Sequence, residues 1–149
     1  MSDRPVNGGS GSDIHIRGYA SRFDERDLSG DIVRRGAFAA SLLARPAPRP
    51  MLHAHDTASP VGVWDRLVED GTGLWAEGRL HLGPDTETLA RLVRSGGVSG
   101  LSIGYRTVRS RQGFGGRELL ELDLWEVSVV AFPMLSTARL QHTEKDIAA

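Results

Sequence analysis

The segment Glu118–Phe132 reads as one long β-strand stopped by Pro133, and a second strand, Val98–Val108, precedes it across a glycine-rich turn at Arg111–Arg117. Two strands in succession break the strand–helix alternation that a parallel α/β sheet needs. Other segments repeat the theme. Ile14–Ala20 alternates as a first strand, Asp24–Asp31 is a charged turn, and Arg49–His55 is a short strand. Val61–Val68 then turns at Glu69–Gly73 into Leu74–Leu82, a hairpin pattern. Helices are few. Gly36–Ala44 carries Phe38, Leu42 and Leu43 at helical spacing until Pro46, Pro48 and Pro50 stop it. A second helix opens at Gly83-Pro84-Asp85, where proline suits the first helical position and the acid meets the positive end of the dipole. Its apolar stripe is Leu89, Leu92 and Val93, and Gly96-Gly97 ends it. The expected fold is mostly β with flanking helices, an α+β barrel or rolled sheet.

A chain of 149 residues is one domain by size. Residues 1–13, rich in glycine and serine, are expected to be a flexible N-terminal arm, 14–140 the folded domain, and 141–149 a polar C-terminal tail. A net charge of -1 gives no reason to expect nucleic acid or an anionic membrane as partner. Nearly all the basic residues are arginine, Lys145 being the only lysine, so single arginines carry little functional weight. The absence of cysteine excludes disulfides, thiolate metal sites and a cysteine nucleophile within this chain. No run approaches the about 20 apolar residues of a membrane span, which points to a cytoplasmic protein.

Chemistry concentrates in three places. Ser102 lies in Gly100-Leu101-Ser102-Ile103-Gly104, flanked by glycines that leave its hydroxyl open to an approaching carbonyl. The same pattern marks the nucleophile elbow of α/β-hydrolases, but there a strand precedes the serine and a helix follows it. Here a helix precedes and a strand follows. Ser102 therefore reads either as a nucleophile or as a small residue at a tight strand start, with Ser99 as the nearest competitor. His53 and His55 would share one face of an extended strand. One of them suits a general base; a metal pair completed by His81 or Asp56 is the rival reading, though its spacing matches no known site. Glu126 is the one charge between Asp123 and Arg139. A carboxylate buried there needs a partner, histidine or arginine. Alternation puts it on the face of Leu122, Leu124 and Ser128, with Trp125, Val127 and Val129 opposite.

From Gly18 to about Leu140 these pieces resemble the prohead serine proteases of tailed bacteriophages and gene transfer agents, capsid maturation enzymes related to the herpesvirus assemblins. The resemblance is carried by Gly18-Tyr19-Ala20-Ser21-Arg22-Phe23, Gly30-Asp31-Ile32-Val33, Gly36-Ala37-Phe38 and Met51-Leu52-His53-Ala54-His55-Asp56. Pro60-Val61-Gly62, the serine motif through Tyr105, and Glu126-Val127-Ser128-Val129-Val130 with Pro133 complete it. It implies an assemblin-like β-barrel surrounded by helices, with Ser102 as nucleophile, His55 as general base and Glu126 as third member, where assemblins use a second histidine. It implies substrates among the major capsid protein and scaffold, self-cleavage, a homo-oligomer in the prohead, action within assembling proheads in the bacterial host's cytoplasm, and no cofactor or metal. Many relatives carry a long C-terminal extension, whereas this chain stops soon after Leu140. Two rival functions stand beside it: a catalytically inactive capsid-assembly or scaffolding module of the same fold, and an α/β-hydrolase-like esterase using Ser102, Glu126 and His142.

Overall fold

The computed structural model describes residues 13–144, so the expected N-terminal arm lies outside the described residues apart from Asp13. Eight strands and two short helices follow in order: β1 Asp13–Arg22, β2 Asp31–Val33, α1 Ala39–Ala44, β3 Arg49–His53, β4 Gly62–Glu69 and β5 Gly73–His81. A 3-10 turn at Pro84–Thr86 leads into α2 Glu87–Ser95, then come β6 Gly100–Gly113, β7 Gly116–Val130 and β8 Leu140–Thr143. The strands form one sheet in the order β2-β7-β3-β4-β5-β1-β8, with β6 on the other side of β7. All neighbours are antiparallel except β2 and β3, which both run parallel to β7 at its two ends.

The sheet closes on itself. Leu101 N–H donates to Ala138 O at 2.8 Å and Leu140 N–H to Ser99 O at 3.0 Å, joining the start of β6 to the chain that enters β8. Closure removes the unpaired edges that an open sheet would leave. It brings backbone close to backbone at Gly18 in β1, where a Cβ would fall onto the Arg139 carbonyl oxygen. Inside the ring, Ile14, Ile16, Met51, Trp64, Leu74, Leu80, Leu101, Leu122 and Leu124 are all but fully buried. Trp64 satisfies its indole by donating to Val127 O at 2.9 Å.

The mostly β architecture with flanking helices agrees with the sequence patterns, and the differences have local causes. The turn expected at Arg111–Arg117 shrinks to Phe114-Gly115, because both strands extend through polar residues that make cross-strand pairs. Arg111 Nε donates to Glu118 at 2.9 Å, and Arg117 grips Asp31 of β2 at 2.9 Å. Helix α1 starts at Ala39 rather than Gly36, since Gly36 takes φ +90°, outside helical space. The N–H groups of Gly36 and Phe38 are bonded instead by the Glu69 carboxylate, each at 2.8 Å. Phe38 is buried as expected, but Leu43 is exposed. In α2 the inward positions are Leu89, Ala90 and Val93, while Leu92 is turned partly outward. Residues 141–143, expected in a tail, belong to β8 and pair with β1. Asp13, expected in the arm, begins β1 opposite His81.

Replacing Gly18 with alanine is expected to destabilise the protein by about 2 kcal/mol or more, since neither backbone can give way at the closure. Urea unfolding of Gly18→Ala against the parent measures it.

Candidate active site

His55 does not lie in a strand. β3 ends at His53, and the chain reverses through a tight turn closed by Asp56 N–H to His53 O at 3.0 Å. Its two central residues, Ala54 and His55, sit at φ 52° and 64°. This left-handed pair is the geometry of a type I′ turn, which Asn-Gly or Gly-Gly adopt without strain. Alanine and histidine cost about 1–2 kcal/mol each there. The expectation that His53 and His55 share a strand face therefore fails: the turn swings His55 out while His53 stays in β3.

Glu126 is placed by a second irregularity. Across the β6–β7 ladder Gly104 faces Glu126 while Tyr105 faces Leu124, so Trp125 is an extra residue, a β-bulge. The bulge reverses the alternation. Leu122 and Leu124 point into the core before it, and Val127 and Val129 after it. Glu126 and Ser128 thus share the opposite face, which corrects the pairing of Glu126 with Leu122 and Leu124 expected from alternation. The backbone groups freed around the bulge find partners outside the sheet. Leu124 N–H donates to Ser41 Oγ of α1 at 2.8 Å, and Leu124 O accepts from Arg45 and Arg49, both at 2.9 Å. Arg49 also reaches the Trp125 carbonyl. Burial, and then the neighbouring Arg45 charge, pushes the Arg49 guanidinium below its usual range.

On the face so created, Ser102 of β6 lies directly across from Ser128, and Gly104 directly across from Glu126. A Cβ at Gly104 would overlap Glu126 Oε2, and one at Gly100 would meet Pro133 Cδ at 2.6 Å. The two glycines thus accommodate Glu126 and Pro133 rather than leaving open space beside the serine. Glu126 Oε2 is hydrogen-bonded to His55 Nδ1. Its other oxygen, Oε1, accepts from the Ser128 hydroxyl at 2.6 Å, and Ser128 Oγ accepts the His55 backbone N–H at 3.0 Å. Sequence reasoning passed over Ser128; only the parity it shares with Glu126 hinted at it.

Ser102, 8% exposed, and His55 line one cleft, whose walls include the apolar Leu101, Ile103, Met134 and Leu135, Tyr105, and the charged Arg22, Glu25, Asp27 and Asp31. Burial, and then the charges of Asp27 and Asp31, push the Tyr105 phenol above its usual range. With Nδ1 engaged by Glu126, Nε2 is the imidazole nitrogen left for the cleft; among the described residues no hydrogen bond joins it to Ser102. An apolar groove formed by Pro50, Leu52, Pro60, Tyr105 and Trp125 continues on the far side of the His55–Glu126 pair.

The remaining candidates lie elsewhere. Ser99 accepts Arg139 Nη1 at 3.0 Å at the barrel closure. His81 pairs with Asp13 at 3.2 Å, and His142 sits exposed in β8 opposite Ile16. Asp56 Oδ1 accepts the Ala58 N–H at 3.0 Å within its own turn. Among the described residues no three His, Asp or Glu side chains are grouped to hold a metal ion, and no helix is long and apolar enough to cross a membrane.

A closed, mostly antiparallel barrel of this kind is the fold of the assemblin-like capsid proteases. The protease of Kaposi's sarcoma-associated herpesvirus, solved with a hexapeptide phosphonate inhibitor, superposes with a TM-score of 0.62 at 13% identity, over 88% of this chain and 65% of that one. The capsid assembly protease of bacteriophage T4 does so with a TM-score of 0.61 at 16% identity, over 78% of this chain and 80% of that one. Residues 3–149 match the caudovirus prohead serine protease family, and the chain belongs to that family. The prohead protease of Enterobacteria phage HK97 is 35% identical over 130 residues, which span 84% of this chain and 58% of that protein.

Two substitutions probe the geometry. Ala54→Gly is expected to raise stability by about 1 kcal/mol, read as a higher melting temperature, because glycine accepts the left-handed conformation without a Cβ clash. Gly104→Ala is expected to leave the fold intact while breaking the His55–Glu126 contact, seen as loss of the imidazole N–H resonance in proton NMR.

Proposed function

We propose that the protein is a serine endopeptidase that cleaves capsid or scaffold proteins during prohead maturation. The observation that carries this reading is that His55, hydrogen-bonded to Glu126 through Nδ1, lines the same cleft as Ser102. Membership of the prohead serine protease family makes acyl transfer the chemistry to test. Ser102 Oγ attacks the scissile carbonyl as His55 Nε2 takes its proton, giving a tetrahedral intermediate and then an acyl-enzyme; the imidazolium returns the proton to the leaving amine. Glu126, which when ionised can only accept, requires the proton on Nδ1 and so leaves Nε2 basic. It also stabilises the imidazolium. Water, activated by the same imidazole, then hydrolyses the ester. Backbone amides near Ser102 or in the segment after Pro133 are the candidates for oxyanion donors, as Met134 and Leu135 line the cleft beside the serine.

The substrates in this reading are the major capsid protein or a scaffold protein, with self-cleavage and a homo-oligomer in the prohead as further expectations. The enzyme acts in the host cytoplasm, inside the assembling shell.

Co-expression with the capsid and scaffold proteins tests it. Ser102→Ala is expected to abolish processing with the fold intact. His55→Ala should lower the rate by at least about 10³-fold and Glu126→Ala by about 10²- to 10⁴-fold. His142→Ala should process like the parent. Processing by Ser102→Ala at the parent rate would rule Ser102 out as the nucleophile. A parent chain that neither processes nor takes a serine-directed covalent probe at Ser102 would leave the catalytically inactive assembly module as the better reading, and dependence on His142 would revive the esterase.

A further inference from the structure

We infer that Ser128 is a positioning residue of this site, holding both Glu126 and the His55 turn through one hydroxyl; the inference rests on the peptidase reading above. Ser128 is 0% exposed, so its hydroxyl makes its hydrogen bonds within the protein. It lies on the site face of β7, across the ladder from Ser102 and two residues beyond Glu126. Its bonding admits one arrangement. The His55 backbone N–H can only donate, so Ser128 Oγ accepts there at 3.0 Å. A hydroxyl has a single proton, and that proton is directed at Glu126 Oε1, 2.6 Å away. The carboxylate is left with Oε2 for His55 Nδ1.

The result is a closed ring: His55 backbone, Ser128 hydroxyl, Glu126 carboxylate, His55 imidazole, and back to the His55 backbone. One end of the ring fixes the left-handed backbone of His55 at φ 64°, and the other fixes its side chain. The serine contributes to both restraints, directly to the backbone and through Glu126 to the side chain. The terminal torsion of a glutamate is broad, so nothing intrinsic sets how the carboxylate plane meets the ring. Deleting the hydroxyl would strand the His55 N–H next to a carboxylate, and that N–H would compete with Nδ1–H for it. The imidazole then loses its fixed direction, and a misplacement of about 1 Å at a reacting group costs on the order of 10²-fold in rate. Ser128 touches no reacting atom and acts only through its two partners.

Two readouts on the 149-residue chain test this. The first is the His55 Nδ1–H proton resonance, assigned by its loss in His55→Ala. It should persist in Ser102→Ala and disappear into exchange with water in Ser128→Ala. The second is the rate at which a fluorophosphonate labels Ser102. It should fall about 10- to 100-fold in Ser128→Ala. Ser128→Cys, which keeps the volume but hydrogen-bonds poorly, should fall similarly, and it carries the test if the alanine variant does not fold. The double variant Ser128→Ala/Glu126→Ala should label no more slowly than Glu126→Ala alone, because the two act as a unit. A folded Ser128→Ala or Ser128→Cys that labels at the parent rate and keeps the resonance overturns the inference, as do losses that multiply in the double variant. A parent chain that takes no label at Ser102 overturns the peptidase reading instead. The resonance then decides alone: its survival in the Ser128 variants overturns the positioning role, and its loss supports it.

Discussion

The bulge at Trp125 sets the face on which everything else in the site is assembled. With unbroken alternation Glu126 would follow Leu122 and Leu124 into the barrel, where a carboxylate costs several kcal/mol unless paired. One extra residue turns Glu126 and Ser128 toward β6 and its serine while Val127 and Val129 continue the core. A bulge frees ladder groups, and these need partners. Helix α1 supplies Ser41, the chain just after it supplies Arg45, and β3 supplies Arg49. The short helix serves as a substitute strand along the stretch of β7 between its pairings with β2 and β3. Trp64 of β4 adds a brace at the Val127 carbonyl.

A second irregularity meets the first. Strand β3 runs parallel to β7 and delivers His53 beside Val129; the left-handed Ala54-His55 turn then carries the imidazole over to Glu126. Residues held in such conformations persist only where the surroundings over-determine them. Here the turn is fixed by Ala54 N–H on the Val129 carbonyl at 3.0 Å, by Asp56 N–H on His53, and by Ser128 on His55 itself. Strain at the proposed base and its compensation from the neighbouring strand are therefore one design. Register shifts occur elsewhere in the barrel too, in β1–β5, in β4–β5 and farther along β6–β7, but the shift at Trp125 is the one that sets the face of Glu126.

Much of this was legible in the residues. Apart from β2 and β8, strand and helix order follow from local periodicity, and the hairpin of β4 and β5 from its turn at Glu69–Gly73. Glu126 stood out as a lone acid in an apolar run, and His55 and Ser102 by their motifs. Legibility failed where a polar residue belonged to a strand for tertiary reasons. Arg111 and Arg117 looked like a turn because their partners, Glu118 and Asp31, are visible only once the strands are laid side by side. Strand β8 looked like a tail because four residues gain strand geometry only by pairing with β1. The glycines of the serine motif were noticed for the wrong reason: their missing side chains are filled by Glu126 and Pro133, neighbours across the sheet and across a loop.

By itself the sequence determined the class of fold and the small set of side chains able to do acid–base and nucleophilic work, because periodicity and residue chemistry are local properties. Only the tertiary structure decided which histidine meets the acid, which way that acid faces, and that a buried serine ties the two together. A one-residue bulge inverts side-chain direction without leaving a mark in composition, and a left-handed turn at Ala-His is imposed by contacts with β7 rather than by any preference of those two residues.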